Sequence, residues 1–300
     1  MKKIAFATFV ILFLISCGPK EQAYDASGTF EAVETIVSAQ ANGTIKALNI
    51  EEGQVLKAGE TVGYIDSTQL YLKKKQLQAQ IRAVLGRKPD VSAQIAAYRE
   101  QLKQAVREQQ RITNLLKADA ATPKQLDDAN TQIAVIKKQI AAQESALGIT
   151  SASLNKETLP LSVQIEQLDD QLSKSRIVNE TAGTVLVKYA EVNEMASTGK
   201  PLYKVSDLSY IILRAYITGN QLSAVKSGQK VKVLVDAADG TYKTYQGVLE
   251  WISDKAEFTP KTIQTKDERA NLVYAVKIRL KNDGYLKIGM YGEVSLNKPI

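Results

Sequence analysis

Residues 41–65 and 181–205 carry one short pattern twice, 140 positions apart, and this repeat limits the possible folds more than any other feature of the chain. Gly43-Thr44-Ile45 aligns with Gly183-Thr184-Val185, Val55 with Met195, Gly59 with Gly199, Val62 with Leu202, and Ile65 with Val205. Gly53 aligns with Asn193, an informative exchange because Asn best replaces Gly where φ is positive. A repeated unit normally needs its neighbour to bury its apolar face. Only two copies exist here, and residues 66–180 separate them. The pattern predicts a small β-sandwich split in half, with an excursion leaving and returning at the split. In this reading Gly43 and Gly183 are equivalent turns, each opening a strand.

The excursion reads as helix. From about Ser67 to Arg176 strong helix formers dominate and aromatics are few. Apolar positions alternate three and four apart through Ile95, Tyr98, Leu102, Ala105, Gln109, Ile112 and Leu116. The spacing resumes through Leu126, Ala129, Ile133, Ile136, Ile140, Gln143 and Leu147. Such a narrow seam is that of a coiled coil. Between the two runs Thr122 is placed to cap a second helix, with Pro123 at its first position. The runs are therefore antiparallel partners that turn near residues 118–122. Leu70, Leu77, Ile81 and Val84 extend the outward arm; Leu161, Ile165, Leu168 and Leu172 extend the return. Breaks at Gly86–Pro89 and Gly148–Pro160 are expected to form a joint shared by both arms.

The two half-motifs resemble those of the biotinyl-lipoyl domain, a flattened sandwich of interlocking halves. A carrier of that family presents a lysine on the turn between its halves. Here Ile65-Asp66-Ser67-Thr68-Gln69 stands at that place, with no lysine. A biotin or lipoyl carrier subunit and two coincidentally similar hairpins are the alternatives to the split sandwich.

The first residues indicate the compartment. Lys2 and Lys3 precede an apolar run from Ile4 to Ile15, too short for a bilayer span but suited to a signal-peptide core. Leu14-Ile15-Ser16-Cys17 resembles the lipobox of bacterial lipoproteins, which implies cleavage before Cys17 and acylation of it. Cys17 is the only cysteine, so an intrachain disulfide is impossible. Removing residues 1–16 takes away two lysines, and the formal charge of +7 falls to +5. Acidic residues are interleaved with that modest excess, which gives no support for nucleic-acid binding. Catalysis is poorly supported as well. The chain has no His, no glycine-rich phosphate loop and no nucleophile elbow. Asp127-Asp128 and Asp169-Asp170 are adjacent in helical segments and point to different faces. No catalytic residue, metal ligand or cofactor is assigned.

Arg111, Leu115 and Thr122 flank the predicted reversal. Arg111-x3-Leu115-x6-Thr122 resembles the Arg-Leu-Ser tip motif of the HlyD/membrane fusion family of periplasmic adaptors, with Thr in place of Ser. The following Pro123-Lys124-Gln125-Leu126-Asp127-Asp128-Ala129 is similar to that family too. In the family these tip residues engage TolC-type outer-membrane channels. Each also has a local explanation: Arg111 as a solvated side chain, Leu115 as part of the seam, Thr122 as a cap. After Asp207, strand-like runs at Tyr210–Ile217, Val231–Val235, Tyr245–Ile252, Tyr274–Leu280 and Gly292–Leu296 suit a small antiparallel barrel. A short helix is expected at about Asn220–Lys226, and a polar mobile loop at Asp254–Ala270. Trp251 and Phe258 are expected as core or turn anchors.

The resemblance implies an elongated, multidomain α+β chain: a split biotinyl-lipoyl-like β-sandwich, an inserted antiparallel α-helical coiled-coil hairpin, and a C-terminal antiparallel β-barrel. The corresponding segments are a signal peptide (1–16), a lipidated linker (17–29), the first half-motif (30–66), the hairpin (67–180), the second half-motif (181–206) and the barrel (207–300). The function implied is a non-enzymatic adaptor of a Gram-negative efflux or secretion system. It would be lipid-anchored in the periplasm, with the inner membrane favoured. Its implied partners are an inner-membrane transporter, a TolC-type channel and further copies of itself in a ring. The chain stops soon after the last barrel strand, a short build that favours an ABC-type over an RND-type transporter. A structural envelope spacer is the remaining alternative.

Overall fold

The computed structural model describes residues 24–258 and 272–296. Three bodies follow from the strand pairings. Six strands close a barrel: β1 (Ala26–Glu31), β10 (Tyr210–Thr218), β14 (Leu272–Lys281), β12 (Tyr242–Ile252), β11 (Lys230–Asp236) and β15 (Tyr291–Ser295). All of these pairings are antiparallel, and β13 (Glu257–Phe258) adds to β14 outside the ring. Alternation fills the barrel. Ile211, Leu213, Ala215 and Ile217 point inward from β10, against Val231, Val233 and Val235 of β11 and Phe30 of β1.

The sandwich has two four-stranded sheets and a quasi-twofold plan. β2 (Glu34–Ser38), β9 (Pro201–Ser206), β7 (Gly183–Lys188) and β4 (Val55–Leu56) form one sheet in that order. β6 (Arg176–Asn179), β5 (Glu60–Ile65), β3 (Gly43–Leu48) and β8 (Met195–Ala196) form the other. Exchanging the first copy for the second converts one sheet into the other. The backbone bonds repeat accordingly. Gly53 N donates to Val185 O and Asn193 N to Ile45 O, both at 2.8 Å; Val185 N donates to Gln54 O and Ile45 N to Glu194 O, both at 2.9 Å. Gly53 has φ 86° and Asn193 φ 72°, the left-handed conformation that the Gly/Asn exchange predicted. Each half therefore supplies edge strands to the other, and the shared core of Ile45, Leu56, Val62, Ile65, Val185, Leu202 and Val205 requires both.

Gly43 and Gly183 are equivalent, but as first residues of strands rather than as turns. A Cβ on Gly43 would stand 2.9 Å from Asp66 O, and one on Gly183 would stand 2.5 Å from Ser206 O. Close backbone approach at the seam is what both glycines serve.

Several boundaries differ from those read in the sequence. The 17–29 linker ends in barrel strand β1, whose Ser27 pairs with Tyr216 and Glu293. The first sandwich half accordingly begins at Glu34. Residues 176–179, expected in the hairpin, form β6 and pair with β5. The short helix covers only Gly219–Leu222. Within the loop expected at 254–270, Glu257–Phe258 is a strand, and residues 259–270 lie outside the described residues. Trp251 and Phe258 are exposed rather than core side chains. For Trp251 the cause is a register shift between Leu249 and Trp251, which keeps Leu249 buried and turns Trp251 outward. The signal peptide and Cys17 also lie outside the described residues.

The hairpin leaves from β5 and returns into β6. α1 (Thr68–Leu85) and α2 (Val91–Lys117) run outward, and the single helix α3 (Pro123–Lys174) packs against both on the way back. At about 1.5 Å per residue, the 52 residues of α3 extend ~78 Å. Leu77, Val84, Ile95, Ile136, Leu147 and Leu168 are buried at the seam, and the other predicted seam positions are half-buried. Arg87–Glu157 at 2.9 Å and Arg99–Glu144 at 3.3 Å tie the flanks across the hairpin. Only the outward arm has a joint. There α1 ends at Leu85, and Asp90 caps α2 by accepting from Ala93 N at 3.1 Å. The return arm is continuous through Gly148 and Pro160. Its seam residues Leu147, Leu154 and Leu161 stay packed across that stretch, and tertiary packing outweighs the local propensity cost.

Candidate functional site

The reversal at the hairpin tip is closed by two capping devices. At the end of α2, Asp119 takes φ 53°, and the chain completes a Schellman motif. Ala120 N donates to Leu115 O at 2.9 Å and Asp119 N to Leu116 O at 3.1 Å. At the start of α3, Thr122 forms a capping box with Gln125. Gln125 N donates to Thr122 Oγ1 at 3.3 Å, and Thr122 N donates to Gln125 Oε1 at 2.8 Å. Pro123 fills the first helical position, where no amide donor is needed. The local chemistry of Thr122-Pro123 thus does what the sequence indicated. The left-handed Asp119 carried no comparable sequence signal.

The three tip residues differ in what holds them. Arg111 forms a bidentate pair with Glu108 one turn earlier, Nε to Oε2 at 2.9 Å and the guanidinium NH2 to Oε1 at 2.5 Å. This shared bond lowers the Glu108 carboxyl below its ordinary range and raises the Arg111 guanidinium above its own. Both side chains are well exposed, so the pair adds little to folding stability. Leu115 is 37% exposed, whereas its neighbours Ile112 and Leu116 are half-buried in the seam. Leu115 is thus less covered than the seam positions beside it. It lies four positions after Arg111, and i,i+4 side chains share one helix face. Thr122 is exposed, with its hydroxyl engaged in the cap.

Elsewhere the chemistry is sparse. Among the described residues, no group of three His, Cys, Asp or Glu side chains is placed to hold a metal ion. No described helix is long and apolar enough to cross a membrane. Among the described residues, the strongly perturbed buried group is Tyr203 in the sandwich core, which burial pushes up to about 12. Its hydroxyl donates to Asn179 Oδ1 at 3.2 Å, and Asn179 Nδ2 in turn donates to Lys57 O and Thr181 O. Every bond of this network fastens a strand end, which is a structural role.

No family model matches the chain. It is 26% identical to the UPF0194 membrane protein of Yersinia pseudotuberculosis serotype O:3 (strain YPIII), over 83% of this chain and 81% of the relative. A UPF0194 membrane protein of Acidithiobacillus ferridurans is also 26% identical, over 96% of this chain and 94% of its own length. Among solved structures, MacA from Actinobacillus actinomycetemcomitans superposes with a TM-score of 0.54 at 21% identity, covering 90% of this chain and 76% of that one. The membrane fusion protein Spr0693 from Streptococcus pneumoniae R6 gives a TM-score of 0.51 at 16% identity, covering 91% of this chain and 98% of its own. Barrel, sandwich and long inserted hairpin together form the α+β fold that this chain shares with MacA and with the membrane fusion protein Spr0693.

Proposed function

We propose that the chain is a lipid-anchored periplasmic adaptor of an efflux or secretion system. Acylated Cys17 would hold the barrel end at the inner membrane, beside an exporter. For that exporter the ABC type is the reading carried over from the family resemblance. The split sandwich, read as biotinyl-lipoyl-like, would stack with further copies in a ring, and the hairpin tips would dock on a TolC-type channel. No step is chemical; the work is alignment, sealing and reach.

The observation that carries this reading is Leu115. Leu115 stands one turn from a doubly capped reversal, on the same face as Arg111, and leaves more than a third of its apolar surface in water. Arg and an apolar anchor side by side are what a small, well-packed protein interface needs. The carrier alternative has no lysine turn to work with, because the chain passes from β5 directly into α1. A pure spacer would need the hairpin but not the identity of its tip residues.

The test is the double variant Arg111→Asp, Leu115→Ser. Arg111 is well exposed and Leu115 more than a third exposed, so the double variant should stay folded. The variant should keep wild-type membrane attachment and melting temperature yet reproduce the transport defect of a deletion strain. Full complementation by the double variant would move the assignment to the spacer. Thr122→Ser should be silent, because the capping hydroxyl persists.

A further inference from the structure

The strand register assigns every barrel segment to one of two ends. Glu31 leads into the sandwich through β2, and Tyr210 leads out of it, so these residues mark the near end. Ser27 pairs with Tyr216, Thr218 with Val273, Ala26 with Val294, and Lys232 with Ser295. The far end therefore gathers the start of β1, the start of β14, the end of β15 and the start of β11. Phe258 of β13 pairs directly with Leu272 at that same end. Phe258 is 71% exposed and Leu272 52% exposed. Two large apolar side chains thus stand in water as a cross-strand pair, on a strand that hangs outside the closed ring. Lys226, Lys230 and Lys255 are exposed at this end; the exposed acids near them are Asp254 and Glu250, the latter also paired with Arg279.

The same register fixes how far this end can be from an anchored lipid. Residues 18–25 lie between Cys17 and β1, and at ~3.5 Å per residue they span at most ~28 Å. We infer that Phe258 and Leu272 form a bilayer-contacting wedge that seats the far end of the barrel on the lipid surface beside the acylated Cys17. This rests on the lipidation proposed above. An aromatic and an aliphatic side chain flanked by lysines is the composition that partitions into a membrane interface and is drawn to anionic headgroups. A single tether leaves a rod free to swivel. A second contact fixes its axis relative to the membrane, which a rod that must meet a distant partner requires.

The experiment uses the full acylated chain in vesicles of phosphatidylcholine and phosphatidylglycerol, with no transporter present. Acylation consumes the only native thiol, so Phe258→Cys or Leu272→Cys supplies a unique site for an environment-sensitive dye. Ile149→Cys, exposed on the hairpin, serves as the water control. Dye at 258 and at 272 should emit to the blue of dye at 149. It should also be quenched by spin-labelled lipid, with a smaller blue shift when phosphatidylglycerol is omitted. Emission at 258 and 272 equal to that at 149, with no lipid quenching, overturns the wedge. If the wet dye becomes buried only on adding the transporter, the face docks protein instead, which also overturns it. Labelling of the unsubstituted chain at Cys17 would show that acylation itself fails, and the wedge would fall with its anchor.

Discussion

Asp119 is the residue whose backbone conflicts most openly with its side chain. It sits at φ 53° after α2, where the Schellman motif favours glycine, and its carboxylate faces the negative end of the helix dipole. Asp119→Gly should relieve both costs. Against this stands the extra freedom that glycine gives the unfolded chain, up to ~1 kcal/mol. The net expectation is a gain of about 0.5 kcal/mol, from a left-handed penalty of ~1–2 kcal/mol less that entropy. Urea denaturation followed at the helical signal measures it. A clear loss of stability would mean that the Asp119 side chain supports the tip in a way its neighbours do not show. Asn193 adopts the same conformation in the sandwich, and there the sequence announced it, because its repeat partner is Gly53. Asp119 has no repeat partner to compare with, so its conformation was illegible. Thr122 and Pro123 were legible because a capping signal is local to a few residues.

At the scale of elements, the hairpin is an insertion into a closed ladder. Tyr64 pairs with Arg176, and Ile65 N donates to Ser175 O at 2.8 Å, so the two ends of the excursion already face each other across β5 and β6. Replacing residues 67–174 by a short Gly-rich turn should therefore leave the sandwich intact. Each doubling of loop length changes closure by only ~0.6 kcal/mol, so the native hairpin is not what holds the ladder together. The trimmed chain should unfold cooperatively with a β-type circular dichroism spectrum and little helical signal. An unfolded product would show that the hairpin organises the sandwich. The heptad seam could be read residue by residue, because a helix face is set by neighbours three and four positions away. The supposed break at Gly148–Pro160 failed for the complementary reason. Breakers act locally, whereas the continuous contact of α3 with α1 and α2 acts along its whole length. β1 was missed because its partners, β10 and β15, are distant in the chain, and Ala-Ser-Gly-Thr-Phe-Glu has only Ala26 and Phe30 facing the core.

For the whole molecule, the proposed function gives two requirements to two parts of one sequence: the shaft would set distance and the tip would set recognition. If so, shaft length should matter independently of shaft sequence. Arg99 pairs with Glu144 and Gln109 bonds to Asn130, so residues whose numbers sum to about 241 face each other across the hairpin. Deleting 99–105 from α2 and 137–143 from α3 removes one heptad from each arm at matched depth. The flanking seam positions then join in register: Tyr98 is followed by the turn that holds Gln109, and Ile136 by the turn that holds Leu147. The shaft shortens by ~10 Å at 1.5 Å per residue, while cap, tip, sandwich and barrel keep their sequences. This variant should fold with a full coiled-coil spectrum, attach to membranes and fail in transport. Restoring the deleted length with an unrelated heptad of equal helix propensity should rescue it. Normal transport by the shortened chain would mean that the partner does not sit at a fixed distance from the membrane. The hairpin would then be a binding surface along its length rather than a reach with a reading end.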